Sequence, residues 1–278
     1  MTLGPWPQRH PLIAYFALAY GISWSGIVIV LAVTGFDLAN LRPLDTGLIF
    51  VLMLLGPSTS GVAMTAGLEG RAGLRRLWSS LVRWQVGVRW YAMALLTMPV
   101  VLLAILWPRG ANLDPAFAPR FQWPLFVIGL VTGSFEEVGW TGFATPRLLA
   151  RRRLFVAGLW LGLVWALWHV LVDFRQNSDT MGIAWVLEFA VFYLATLTAY
   201  RLLMTWVYAN TRSLFLAVLM HASYTGWLLV LYPATSFEQG LVWQSAFAVA
   251  LWLVVAVVML GFARREPRTA PLQCEIGA

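Results

Sequence analysis

Two adjacent glutamates and two histidines lie inside apolar stretches of this sequence. Glu136 and Glu137 share one stretch, whereas His169 and His221 each lie in another further along the chain. A charged side chain at the centre of a membrane span costs at least about 2.5 kcal/mol on insertion scales, so an ionisable residue there is a candidate functional residue. These four residues are therefore the first candidates for a chemical site.

Carboxylate and imidazole groups together can activate water. Neighbouring residues of a helix project about 100° apart, so one glutamate can face a cavity while the other meets a supporting group. A carboxylate can act as a general base, and imidazoles can bind a metal, relay a proton or donate to an oxyanion. Glu188, in a later apolar stretch, is a weaker candidate that we interpret as a structural residue.

The elements that must position these residues are membrane-spanning helices. The 278 residues are 60% hydrophobic and 11% charged, and the apolar residues form runs near the roughly 20 residues that a spanning helix requires. The sequence predicts an all-α polytopic membrane protein with eight transmembrane helices. The predicted spans are 11–33, 46–67, 90–107, 122–145, 154–174, 183–206, 212–232 and 241–263.

The arginines predict the orientation of these spans. All nineteen basic residues are arginines, and alternate loops would hold fifteen of them on one side, Arg201 included, and four on the other. Because cytoplasmic loops are enriched in basic residues, we expect both termini in the cytoplasm. The same distribution in short loops argues against nucleic-acid binding, despite the net charge of +7.

One domain is predicted over residues 1–263. Within it, leucines and tryptophans at helical spacing alternate with arginines over about 71–86, which indicates an amphipathic helix at the cytoplasmic interface. The polar segment 264–278 is predicted to be disordered. Cys274 lies in that segment, fifth from the end, so the chain does not carry a prenylation signal itself.

Three motifs in the sequence contain the four candidate residues: SFEEVGWTGF at 134–143, WALWH at 165–169 and HASYT at 221–225. They resemble the EExxxR, aromatic-xxx-H and HxxxN elements of the CPBP family of intramembrane proteases. That family includes type II CAAX prenyl proteases and the bacteriocin-processing or immunity relatives also called Abi proteins. The motifs occur in the family's order and on separate predicted spans.

The resemblance implies a role for each matching residue. Glu136 and His169 would activate water, Glu137 would support them, and His221 with Thr225 would stabilise the oxyanion. The implied activity is that of an intramembrane endopeptidase in membrane lipid, acting on prenylated CAAX peptides or other membrane-associated peptides. A bacterial plasma membrane is the expected location.

Two residues depart from the family pattern. Thr141 stands where the family has arginine, so an ion pair from Glu137 to the residue four positions on is impossible, and Glu137 must be protonated, partnered from another helix or hydrated. Thr225 stands where the family has asparagine, and its hydroxyl supplies one donor where an amide supplies two.

Several alternatives stay open at this level. Glu136, His169 and His221 could hold Zn²⁺ with an open water position, or the reaction could proceed without metal. The motif HExxH of classical zinc proteases is absent. A catalytically weakened immunity or membrane-binding protein is the main alternative function. A proton-coupled transporter is a further one, although the sequence lacks an inverted repeat of interrupted helices.

Overall fold

The computed structural model describes residues 4–37, 41–112, 114, 117, 123–176, 182–233 and 235–263. These ranges contain helices and no strands, which confirms the predicted all-α fold. The segment 264–278 lies outside the described residues. The α-helices are α1 (Pro5–Arg9), α2 (Pro11–Val33), α3 (Pro43–Leu81), α4 (Val88–Asn112), α5 (Trp123–Gly139), α6 (Thr145–Leu149), α7 (Leu154–Trp168), α8 (Val170–Gln176), α9 (Ile183–Phe189), α10 (Thr198–Thr211), α11 (Leu214–Leu231) and α12 (Phe237–Ala263).

Seven helical stretches of the described chain are long and apolar enough to cross a membrane. They correspond to seven of the eight predicted spans. The eighth predicted span, 122–145, is α5 with the π-helical segment that follows it, and α5 itself has 17 residues. The two glutamates lie near the end of α5, directly before this π-helical segment.

Helix α3 is longer than the predicted span 46–67. It continues to Leu81 through a break at Gly70, whose backbone has φ 59° and ψ −150°. A positive φ is readily adopted only by glycine, so this residue lets the chain change direction between the two parts of α3. The second part is helical over 71–81, whereas the sequence pattern predicted an amphipathic helix as far as 86.

Glycines bring α5 against α11. Gly129 and Gly133 form a GxxxG pair in which a Cβ at Gly133 would lie 2.6 Å from the backbone nitrogen of Ala222, and one at Gly129 would collide with Gly226. Small residues let helix backbones approach closely in a membrane, where packing drives association. The helix with both glutamates is therefore held directly against the helix with His221.

A second GxxxG pair brings α7 against α10. A Cβ at Gly158 would lie 2.8 Å from Cδ2 of Leu202, and one at Gly162 would lie 2.7 Å from Cα of Thr198. This contact joins the helix that ends at Trp168, just before His169, to the helix that contains Arg201. Two close helix pairs thus surround the candidate site.

Two π-helical segments flank the same region. Trp140–Ala144 follows α5 directly, and Ala190–Leu197 joins α9 to α10. In each, a threonine hydroxyl donates to the carbonyl five residues earlier, Thr145 to Trp140 and Thr196 to Val191, both at 2.9 Å. Such widened turns are rare and occur frequently at functional sites.

The structure corrects the interpretation of Arg201. Its side chain is fully buried within the apolar stretch Ile183–Thr211, so its assignment to an inner loop is wrong. Removing it leaves fourteen of the fifteen arginines on the predicted cytoplasmic side. The orientation of the termini stays a prediction.

Candidate active site

Glu137 is enclosed by polar partners from three helical segments. The guanidinium of Arg201 donates to both carboxylate oxygens, Nη1 to Oε2 at 2.8 Å and Nη2 to Oε1 at 2.9 Å. The hydroxyl of Thr141 also donates to Oε2, and Nδ1 of His221 lies 2.7 Å from Oε1. Both Glu137 and Arg201 are fully buried. Bidentate pairing of this kind fixes the plane of a carboxylate as well as its position.

These contacts decide between the three states that the sequence left open for Glu137. The carboxylate is partnered from another helix, because the arginine comes from α10 and not from the position of Thr141. Thr141 contributes a hydrogen bond in place of a charge. A buried ion pair with further hydrogen bonds to its oxygens is the arrangement that offsets the cost of removing two charges from water.

Glu136 has different partners. Its Oε2 accepts from the indole nitrogen of Trp165 at 2.7 Å and from that of Trp140 at 3.2 Å. Its side chain is buried, with 5% of the residue exposed. Both donors are neutral, so they orient the carboxylate without supplying a compensating charge.

His169 lies at the C-terminal end of α7 and is half-buried. Its Nδ1 is 2.9 Å from the backbone carbonyl oxygen of Trp165, an acceptor that requires a proton on Nδ1. The ring is surrounded by aromatic rings, with centroids 4.9 Å from Trp168, 5.1 Å from Tyr193 and 5.7 Å from Trp165. The imidazole is therefore held in one orientation, and Nε2 is the ring nitrogen that Trp165 does not engage.

Trp165 connects the two halves of the site. Besides its hydrogen bond to Glu136, its ring lies 4.0 Å from the guanidinium carbon of Arg201 and 5.0 Å from the ring of His221. A guanidinium over an indole face is attracted to the ring, most strongly away from water. Trp165 therefore contacts Glu136, His169 and Arg201, the partner of Glu137.

Thr225 lies one helical turn beyond His221 on α11 and is half-buried. In the described part of the chain its hydroxyl takes no part in the hydrogen bonds that join Glu137 to its partners. Glu188 is half-buried on α9 and is likewise outside that network. The structure therefore joins Glu136, Glu137, His169 and His221 through hydrogen bonds and the ring of Trp165. It places Thr225 four residues after His221 on the same helix.

The sequence offers Glu136, His169 and His221 as possible metal ligands. Within the described ranges, the structure contains no group of three or more His, Cys, Asp or Glu side chains arranged to hold a metal ion. Glu136, His169 and His221, all within the described ranges, are therefore not arranged as such a group. We derive no step of the reaction through a metal.

Sequence reasoning missed the roles of Arg201 and Trp165. A signal for Arg201 was present, because it lies inside the predicted span 183–206, where a charged residue is a candidate functional residue. Trp165 belongs to the aromatic-xxx-H element but was not assigned a site role. Its spacing of four from His169 places its carbonyl where the imidazole can donate to it.

The same region matches known proteins. Residues 118–227 match the family model described as Type II CAAX prenyl endopeptidase Rce1-like, and all predicted site residues fall within that range. The chain is also similar to CAAX prenyl protease 2 of Methanococcus maripaludis, with 31% identity over 141 residues. That alignment covers 45% of the chain and 51% of the relative, so the chain spans about half the length of the curated relative it matches. These matches support the resemblance to the CPBP family that the three motifs carry.

Proposed function

We propose that the protein is an intramembrane endopeptidase in which Glu136 is the general base. The observation that carries this proposal is the contrast between the two glutamates. Glu137 is paired with the guanidinium of Arg201, whereas the donors to Glu136 from the described residues are neutral indoles. A carboxylate without a paired cation keeps its capacity to take a proton from water. Glu136 therefore has the chemistry that a base requires.

The proposed reaction is hydrolysis of a peptide bond. Glu136 removes a proton from a water molecule that His169 helps to orient, and the oxygen of that water attacks the scissile carbonyl carbon. The resulting tetrahedral intermediate collapses, the carbon–nitrogen bond breaks, and Glu136 returns its proton to the leaving amine. The products are a carboxylate and an amine, so no other reactant is needed.

We assign stabilisation of the oxyanion to His221 and Thr225. The carboxylate of Glu137 fixes the orientation of the His221 ring through Nδ1, so that the Nε2 edge of the ring can face the oxyanion. The hydroxyl of Thr225, on the same helix, supplies a second donor. Removal of a strong oxyanion donor costs about 2.7 to 4 kcal/mol of transition-state stabilisation, and we assign a loss of this size to His221. The single neutral hydroxyl of Thr225 is assigned the smaller contribution of a modest hydrogen bond.

The proposed substrates are prenylated CAAX peptides. The name of the similar protein from Methanococcus maripaludis is CAAX prenyl protease 2, and the matching family model is described as a prenyl endopeptidase. An active site within helices of a membrane would receive a peptide that its own lipid anchors in the bilayer. Other membrane-associated peptides are the wider class, and the bacterial plasma membrane is the proposed location.

The experiment uses the full chain in detergent with a farnesylated CAAX peptide that carries a fluorophore and a quencher on opposite sides of the farnesylated cysteine. We expect cleavage by the wild type and a loss of about a thousandfold in Glu136→Gln, because general-base catalysis contributes roughly 10²–10⁴-fold. Glu188→Gln is the matched control, since it removes a half-buried glutamate outside the site. Mass spectrometry of the products identifies the bond that breaks.

Two results would contradict the proposal. Binding of the probe by wild type and Glu136→Gln alike, with cleavage by neither, would identify a catalytically inactive binding protein. Proton-driven uptake into proteoliposomes that Glu136→Gln abolishes would identify a transporter.

A further inference from the structure

Arg201 is a charged side chain buried in the middle of a membrane span. It has no exposed surface, and its partners are Glu137, the hydroxyl of Thr141 and the ring of Trp165. An arginine in this position is expensive unless every partner is in place, so such residues usually mark a function. The family resemblance expects an arginine beside Glu137, but at position 141.

The guanidinium of Arg201 occupies the space beside residue 141. Its Nη1 lies 3.4 Å from Oγ1 of Thr141, and both groups donate to the same oxygen of Glu137. An arginine at 141 would extend into this space from the π-helical segment Trp140–Ala144. The small side chain of Thr141 and the long side chain of Arg201 are therefore complementary occupants of one buried pocket.

We infer that Arg201 is the positioning residue of this site, and that it supplies from α10 the guanidinium that the EExxxR motif would place at Thr141. It fixes the carboxylate of Glu137 with two hydrogen bonds, and Glu137 in turn holds Nδ1 of His221. This inference rests on the proposed function.

Arg201 also acts on the other half of the site. Its guanidinium lies over the ring of Trp165, whose indole nitrogen donates to Glu136. The close contact of α7 with α10 through Gly158 and Gly162 keeps these two side chains together. A single cation thus orients the base through Trp165 and the oxyanion donor through Glu137.

The test is an exchange of the two residues. Arg201→Met keeps the length of the side chain and removes its charge, so we expect kcat to fall about 100-fold, as misplacement of reacting groups can cause, with a smaller change in KM. Thr141→Arg alone would place two guanidinium groups in one pocket and should also lose activity. The double variant Thr141→Arg/Arg201→Thr has the composition of the wild type and should recover cleavage to within about tenfold.

Arg147→Met is the matched control. Arg147 is a half-buried arginine that pairs with Glu69 and donates to the carbonyl of Phe143, outside the network of Glu137. Its removal should leave cleavage of the farnesylated probe close to wild type. A merely structural role of Arg201 would lower the yield of folded protein in the single variant but would not be relieved by moving the guanidinium to another helix.

A spectroscopic readout separates this inference from the proposed function. The chain has three histidines, so histidine labelled with ¹⁵N gives few signals. The Nδ1 signal of His221 should change in Arg201→Met, because Glu137 loses its fixed orientation, and should return in the double variant. Unchanged His221 signals in Arg201→Met, or a double variant as defective as the single ones, would overturn the inference. If the wild type cleaves no probe, the proposed function fails, and the His221 signals still decide the role of Arg201.

Discussion

Glu136 and Glu137 occupy consecutive positions of α5, but the groups around them differ in kind. Glu137 meets a guanidinium, an imidazole and a hydroxyl, and it has no exposed surface. Glu136 meets two indole N–H groups. Because neighbouring residues on a helix point about 100° apart, one step along the chain is enough to reach a different environment.

The two histidines repeat this division. His221 is buried, and the carboxylate of Glu137 holds its Nδ1. His169 is half-buried, and a neutral backbone carbonyl holds its Nδ1. The charged half of the site is thus closed and built on an ion pair, whereas the half with Glu136 and His169 is oriented by neutral groups. In this site, an arginine pairs with one glutamate, and the adjacent glutamate is oriented by neutral donors.

The largest expected effect on stability comes from breaking the paired half. In Glu137→Gln, the guanidinium of Arg201 would remain buried without its counter-ion, which should reduce the free energy of unfolding by about 3–5 kcal/mol. Unfolding by denaturant in detergent measures this loss. An unfolding free energy equal to that of the wild type would show that the ion pair does not support the fold.

The next effect tests the contact that brings the two halves together. Gly133→Ala would place a Cβ 2.6 Å from the nitrogen of Ala222, so α5 and α11 must separate and His221 must move from Glu137. A displacement of about 1 Å can cost roughly 100-fold in rate, which the farnesylated probe would report. Gly21→Ala is the control, because its Cβ would meet no atom within 4 Å. Equal activity of the two variants would contradict this explanation of the GxxxG pair.

Much of this arrangement follows from the sequence. The apolar runs predict the spans, since a helix in lipid must be apolar over its whole length, and the cost of a charge there marks Glu136, Glu137, His169 and His221. What the sequence cannot give is which helix reaches which group. The partner of Glu137 depends on where α10 lies relative to α5 in the folded bundle, which local sequence does not encode. The inner-loop assignment of Arg201 is wrong for this reason.

The remaining differences have a local origin. The break at Gly70 and the two π-helical segments change the direction or the pitch of a helix within one or two turns. Hydropathy averaged over a span does not report such changes. Trp165 was overlooked because its indole nitrogen has a site role only once the carboxylate of Glu136 is brought to it from another helix.

A smaller effect is expected from loss of the hydrogen bond between Trp165 and Glu136. Trp165→Phe removes the 2.7 Å hydrogen bond but keeps an aromatic ring over Arg201, so we expect about a tenfold loss of kcat, corresponding to one buried hydrogen bond. Trp252→Phe is the control, because that indole donates to the carbonyl of Ala195 on another part of the bundle. Equal kcat values in the two variants would show that Glu136 does not depend on Trp165.

The smallest effect concerns the oxyanion. Thr225→Val keeps the shape of the side chain and removes its hydroxyl, which should lower kcat about fivefold, the value of a modest hydrogen bond. Thr225→Asn restores the donor group of the family motif and should raise kcat above that of the wild type. If Val and Asn at this position give the same kcat, Thr225 does not contact the oxyanion.

The division between the two glutamates is tested most directly by measuring probe cleavage and thermal unfolding on the same preparations of Glu136→Gln and Glu137→Gln. We predict that Glu136→Gln loses about a thousandfold in cleavage and unfolds near the wild-type temperature, because it removes a base with neutral partners. Glu137→Gln should lose both activity and stability. Cleavage at the wild-type rate by Glu136→Gln, or a loss of stability as large as that of Glu137→Gln, would contradict the account.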